Sequence, residues 1–274
     1  MNSHFKIEPP GKLHLNLREL WNNRELFYYF TWRDVKVKYK QTVLGLLWTI
    51  LQPLAMTLLF TLFLGEIIAN NTKVNVPYPV FALSGMLLWN IFSSGVNNAA
   101  NSMVSNANII KKIYFPRLII PFSSILVSLI DFLFAVVIFV VVLFIYKVQV
   151  TPLIILYVPL AAIFISISTA GFGLILGALN VKYRDVRYII PFFVQGLMFV
   201  SPVIYPTSIS GNHWAQWILK LNPLSGPFEL FRGGFAGSQI NWEVVLISLA
   251  SSIFLFLVGL IYFKRTESYF ADLA

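Results

Sequence analysis

Cysteine is absent from the 274 residues. That excludes disulfides, thiol chemistry and Cys-ligated metals, and leaves the redox compartment undetermined. Charge is scarce as well, at 11% of residues, where soluble globular domains carry about 25%. Histidine occurs three times, at positions 4, 14 and 213, without the spacing of metal ligands. No G-x-x-x-x-G-K-[ST] phosphate loop, Gly-x-Ser-x-Gly elbow or His-Glu-x-x-His pair occurs anywhere. The chain therefore offers no ATP cradle of that type and no familiar hydrolytic centre. The beginning, "MNSHFKIEPPGKLHLN", has neither the apolar core nor the small-residue cleavage site of a signal peptide.

What the chain has is apolar length. Apolar residues make up 58% and the mean hydropathy is +0.76, more than one aqueous core of this size could bury. The bilayer is the fitting solvent. A helix crossing about 30 Å of hydrocarbon needs about 20 mainly apolar residues. Six segments meet that demand: Val43–Ile68, Pro79–Val104, Leu118–Tyr146, Pro152–Leu179, Tyr188–Tyr205 and Glu243–Phe263. The fifth is short and contains Pro191 and Pro202. The resulting division is a basic segment 1–42, a six-span domain 43–263 and a tail 264–274.

Charge placement orients the spans. The net charge is +9, and sixteen of the twenty Lys and Arg lie before span one, between spans two and three, between four and five, or after six. Only Lys73, Lys147, Lys220 and Arg232 lie on the other side. The positive-inside rule then predicts cytoplasmic termini. The long opposite connection, Ser201–Trp242, carries apolar stretches broken by Pro and Gly. It reads as short interfacial or re-entrant helices, with an ordinary aromatic-anchored loop as the alternative.

The run "RDVKVKYK" before span one contains Arg33, Lys36, Lys38 and Lys40 with a single acid. "VKVKYK" alternates like a strand. Over a wider window, Trp21, Tyr28, Trp32, Val35 and Tyr39 recur at helical spacing, with Arg33, Lys36 and Lys40 on another face. This pattern predicts a helix lying at the membrane interface, its cations among anionic head groups. A basic arm for nucleic acid is the competing reading, and direct attachment to a span argues against it.

Within the spans, three features stand out. Asp131 lies mid-span, where a carboxylate is costly, so it is either a proton relay or a paired structural acid. No clear second titratable group lies at depth, which favours the pair. Asn90, Ser94, Asn97, Asn98, Asn101 and Ser105 form a polar stripe on span two. Such a stripe must face protein or water, as a polar path or as a helix joint. Gly173-x-x-x-Gly177 in span four reads as a packing face.

Five blocks carry a family resemblance: "RDVKVKYKQTVLGLLWTILQPL" (Arg33–Leu54), "NIIKKIYFPRLIIP" (Asn108–Pro121), "NVKYRDVR" (Asn180–Arg187), "SPVIYP" (Ser201–Pro206) and "LNPL" (Leu221–Leu224). With six spans in the same order, the chain resembles the permease subunits of ABC-2 type polysaccharide exporters, O-antigen and capsular types above all. The resemblance implies an all-α ABC-2 membrane fold and a homodimer bound to two cytoplasmic ATPase subunits. It implies no cofactor in this chain, ATP and Mg being held by the partner, and no enzymatic activity of its own. The cargo it implies is a polyprenyl-diphosphate-linked polysaccharide moved across the bacterial cytoplasmic membrane. An exporter of teichoic acid, a lipid or a drug is the nearest alternative.

The same resemblance assigns roles by position. Leu20–Lys40 becomes the interface helix, with Arg33, Lys36, Lys38 and Lys40 where substrate enters. Ser105–Phe115 becomes the segment coupled to the ATPase, with Asn108, Lys111, Lys112 and Tyr114. Tyr183, Arg184 and Asp185 fall in a second, smaller contact. Spans one and five border the channel. Aromatic rings can stack on sugars while letting a chain slide, as they do on nucleobases. The channel candidates are Trp48, Phe60, Phe63, Phe192, Phe193 and Phe199, with Asn90, Asn97 and Asn101; lipid-facing or packing roles for the aromatics stay open.

Overall fold

The computed structural model describes residues 17–40, 45, 47–71, 76–183, 185–207, 213–235 and 239–267. Helices dominate, because a backbone in hydrocarbon must satisfy its own hydrogen bonds. Among the described residues, five helices are long and apolar enough to cross a membrane. They are α3 (Leu47–Asn71), α4 (Tyr78–Ser105), α6 (Ile119–Ile145), α7 (Ile154–Lys182) and α11 (Trp242–Thr266). Shorter helices are α1 (Leu17–Asn22), α2 (Arg24–Lys40), α5 (Ala107–Ile110), α8 (Val186–Val200), α9 (His213–Leu221) and α10 (Ser225–Arg232).

"VKVKYK" is helical, as the wider window predicts, and forms the last turns of α2. Asn23 separates α2 from α1, its amide donating to the Glu19 carbonyl at 2.8 Å. The fifth span differs from its expected bounds. Its helix, α8, ends at Val200 after 15 residues, about 22 Å at 1.5 Å per residue. Pro202 lacks the N–H that would continue the ladder. The chain instead turns, Val203 N–H donating to the Ser201 carbonyl at 2.7 Å. The six-span pattern is thus five full-length helices and one short apolar one.

The centre of the bundle is α4, which packs against α3, α6, α7, α8 and α10. Lipid offers apolar side chains the same environment as a protein interior, so close approach through small residues holds such helices together. A Cβ on Gly173 would lie 2.8 Å from Ala99 Cβ, and one on Gly177 3.3 Å from the Ala99 carbonyl. The Gly173-x-x-x-Gly177 pair is therefore a packing face against α4. Between α7 and α11 the backbones meet at Gly171 and Gly259, where a Cβ on Gly259 would lie 2.6 Å from the Gly171 oxygen.

The connection after α8 folds back into the protein. Every residue of α10 except Glu229 is buried, and Phe231 packs on Phe139 of α6 with ring centroids 5.4 Å apart. By contrast α9 lies at the surface, with Trp214, Trp217, Ile218 and Leu221 exposed at helical spacing. One helix is inserted and one is superficial, so the connection is helical, as the reading of short interfacial or re-entrant helices expected.

Candidate functional site

The collar cations divide into two kinds. Arg33 bonds Asp34 at 2.6 Å and lies over the Phe30 ring at 4.9 Å. Lys38 forms an ion pair with Asp131 of α6. Lys36 lies over Trp32 at 5.3 Å, and neither Lys36 nor Lys40 has an acidic partner among the described residues. Two of the four cations are therefore available to an external anion.

Asp131 is the hub of a small network. Tyr39 donates to its carboxylate and lies 3.3 Å from the Thr49 hydroxyl of α3. Burial first, then the hydrogen bond to Asp131, pushes the Tyr39 hydroxyl up to about 12, so it remains a donor at neutral pH. Three elements meet here: the end of α2, the start of α3 and the middle of α6. The mid-span acid thus has a cationic partner and a hydroxyl donor, which accounts for its burial without a relay.

The segment expected to couple to an ATPase begins after α4, at its C-cap Asn106. The one-turn α5 leads into Lys111, Lys112, Ile113 and Tyr114, all exposed, Tyr114 by 90%. Asn108 is exposed too. Buried Ile110 and Phe115 pin the two ends of this tip. The Phe115 ring packs on Phe30 of α2 with centroids 5.6 Å apart, and Arg117 donates to the Glu267 carbonyl after α11. A polar cleft of about 290 Å³ opens along the tip. Tyr183, half exposed with Lys182 over its ring at 5.2 Å, closes the turn between α7 and α8. Asp185 is exposed beside it, and Arg184 lies outside the described residues.

The proposed channel aromatics fall on open faces of two helices. Trp48 and Phe63 of α3, and Phe192, Phe193 and Phe199 of α8, are exposed, while Phe60 is partly buried against the core. Phe193 continues an aromatic chain inward, 5.8 Å from Phe172, which is 5.5 Å from Phe92 of α4. The polar stripe of α4 separates into two sets. Ser94 donates to the Ser128 hydroxyl of α6 at 3.0 Å, and Asn101 accepts from Asn180 of α7 at 3.1 Å. Asn90 and Asn97 are half-buried on the open side and bond no other helix among the described residues.

Sequence reasoning missed a second hub, at the start of α4. Arg232, counted only as an outside cation, is buried in α10. Its guanidinium donates to the carbonyls of Pro202 at 2.7 Å and Val203 at 2.6 Å and lies 3.6 Å from the centre of the Phe81 ring. This cation joins the "SPVIYP" turn to α4. Asn222 of "LNPL" does similar work: its amide reaches Ser201 Oγ at 2.9 Å and its oxygen accepts from Leu224 N–H at 2.9 Å. Ser168 and Ser252 both donate to the Pro223 carbonyl, at 3.1 and 2.9 Å. The available signal was a cation flanked on both sides by apolar sequence, "PFELFRGGF", where a solvated loop has no need of such neighbours. Among the described residues no cluster of acids and histidines could hold a metal.

These features define a polytopic helical membrane protein with an N-terminal helix packed on α6, an exposed tip between α4 and α6, and a buried helix, α10, inserted into the bundle. The chain belongs to the ABC-2 type transporter family, whose profile matches residues 25–236. It is similar to the O-antigen export system permease protein RfbA of Klebsiella pneumoniae, 31% identical over 96% of this chain and 98% of that protein. The protein of that name in Myxococcus xanthus is 28% identical over 92% and 97% of the two chains. Polysialic acid transport protein KpsM of Escherichia coli is 26% identical over 86% and 91%.

Proposed function

We propose that this chain is the membrane permease subunit of an ATP-driven exporter of lipid-linked polysaccharide of the O-antigen type. The observation that carries the proposal is end-to-end similarity to two O-antigen export permeases, spanning 92% or more of this chain. The geometry supports it. The protein has an exposed basic and aromatic tip suited to a cytoplasmic partner, and that tip is packed through Phe115 and Phe30 onto the basic collar.

In this reading the protein lies in the bacterial cytoplasmic membrane with both termini inside, as the cation distribution favours. Two copies assemble with two ATPase subunits, which bind ATP and Mg. The diphosphate of the carrier lipid approaches Lys36 and Lys40. Movement of the ATPase reaches the tip at Lys111–Tyr114 and passes through Phe115 to α2. From there the Lys38–Asp131–Tyr39 network carries it to α3, which borders the path. A glycan then slides along the open faces of α3 and α8.

Co-reconstitution with the partner ATPase, using a lipid-linked glycan in sealed vesicles, tests the proposal. ATP-dependent appearance of glycan on the far side is the expected result. Transport of a lipid or drug without any glycan movement would overturn it.

A further inference from the structure

The two ends of α4 differ. From Tyr78 to Trp89 every residue except Pro79 is buried. From Asn90 onward one side opens, with Asn90, Ser93 and Asn97 half-buried and Asn98 exposed. Asn90 begins about 18 Å along the helix from Tyr78 and Asn98 lies about 30 Å along, at 1.5 Å per residue. Counted from Tyr78 as the far boundary, Asn90, Ser93 and Asn97 fall within the cytoplasmic half of a hydrocarbon layer about 30 Å thick, and Asn98 lies at its cytoplasmic edge. Acyl chains cannot satisfy amides at that depth.

These polar groups are not accounted for by the bundle. Among the described residues the Asn90 and Asn98 amides and the Ser93 hydroxyl have no side-chain partner. Asn97 donates to the Ser93 carbonyl at 2.7 Å, leaving its amide oxygen free to accept. The helix-joining members of the stripe, Ser94 and Asn101, are engaged with α6 and α7. No Asp, Glu, Lys or Arg occurs anywhere in α4. Both α3 and α8 pack on α4, the first touching α6 and the second α7, so the two flank it. On those helices the only charged side chains are Glu66, near the outer end of α3, and Arg187, in the first turn of α8.

We infer that Asn90, Ser93, Asn97 and Asn98 form a neutral hydrogen-bonding track for the hydroxyl groups of a passing glycan, and that the track favours uncharged sugars. This rests on the polysaccharide reading above and adds the class of glycan. Sugar hydroxyls both donate and accept, matching amides and a serine, while the apolar faces of sugar rings suit aromatics such as Phe192 and Phe193. A carboxylated sugar would lose hydration here with no cation to meet it, which is costly at this depth. The carrier's diphosphate stays at the collar, where Lys36 and Lys40 lie.

Reconstituted complexes are offered a neutral and a carboxylated glycan of equal length on the same carrier lipid. Wild type is expected to move the neutral chain at least about tenfold faster, the scale of one unmatched polar group. Asn90→Leu/Asn98→Leu is expected to slow the neutral chain about tenfold while still assembling with the ATPase. Asn98→Lys is expected to raise transport of the acidic chain relative to the neutral one. A photoreactive residue at Asn98 is expected to label glycan during turnover; labelling of a second permease copy instead would make the stripe a subunit contact and overturn the track. Equal transport of both glycans overturns the track alone. Vesicles that move neither glycan overturn the export reading and the track with it.

Discussion

Lys38 and Asp131 form an ion pair whose two halves differ in exposure, 40% for the lysine side chain and 3% for the carboxylate. Removing one partner of a buried pair costs about 3–5 kcal/mol, because the other charge is left uncompensated. The imbalance here predicts which removal is worse. Lys38→Met keeps the stem and strands a buried carboxylate with Tyr39 as its remaining donor. The half-open lysine lets some solvent in, so about 3 kcal/mol is the expected cost. Asp131→Asn keeps an acceptor for Tyr39, and the freed lysine side chain, 40% exposed, is not left as a buried charge. That change is expected to cost about 1 kcal/mol. Thermal unfolding of the purified protein in lipid nanodiscs reads the difference. At about 2–4 °C per kcal/mol for a chain of this size, Lys38→Met should lower Tm by about 6–12 °C and Asp131→Asn by about 2–4 °C. The double variant removes both charges and should be more stable than Lys38→Met alone, a non-additivity of about 2 kcal/mol. Equal shifts for the two single variants, or additive losses in the double, would refute the reasoning.

Four further expectations concern the Arg232 hub, α8 and the exposed tip after α4. Arg232→Met orphans the Pro202 and Val203 carbonyls and is expected to cost about 2–6 kcal/mol, about 1–3 for each carbonyl; Arg232→Lys should not restore Tm, since one ammonium cannot reproduce the guanidinium fork, and a wild-type Tm for the Lys variant would reject that. In Gly85→Ala the new Cβ would sit 2.1 Å from the Val203 carbonyl oxygen, so a similar loss of Tm is expected. Gly196→Ala in α8, with nothing within 4 Å of the new carbon, should stabilise by up to about 1 kcal/mol. Charge reversal at exposed Lys111 and Lys112 should leave stability within about 0.5 kcal/mol yet uncouple ATP hydrolysis from glycan movement; unchanged coupling in vesicles would remove both from the contact.

What could be read without coordinates is what the bilayer imposes one segment at a time. Apolar runs of spanning length and a helical stripe through "VKVKYK" are local consequences of the segments' own composition and spacing. The inserted α10 was partly visible for the same reason, because "GPFELF" is too apolar for a solvated loop. The boundary of α8 was less visible: a hydropathy window sees "SPVIYP" as a continuation, whereas the missing N–H of Pro202 ends the ladder. The two hubs were hidden for a different reason. Asp131 finds Lys38 ninety-three positions away, and Arg232 finds Ser84 at a separation of 148; no periodicity links such pairs. A buried charge in an apolar run announces that a partner must exist, because desolvation leaves no alternative, but it does not say which. The stripe on α4 shows the same limit from the opposite side. Its spacing demanded a polar environment for all six residues, and only the bundle reveals that Ser94 and Asn101 find that environment in neighbouring helices while Asn90, Asn97 and Asn98 do not. The polar groups left without a helix partner therefore point to a path more directly than the stripe as a whole, since packing has already claimed the others.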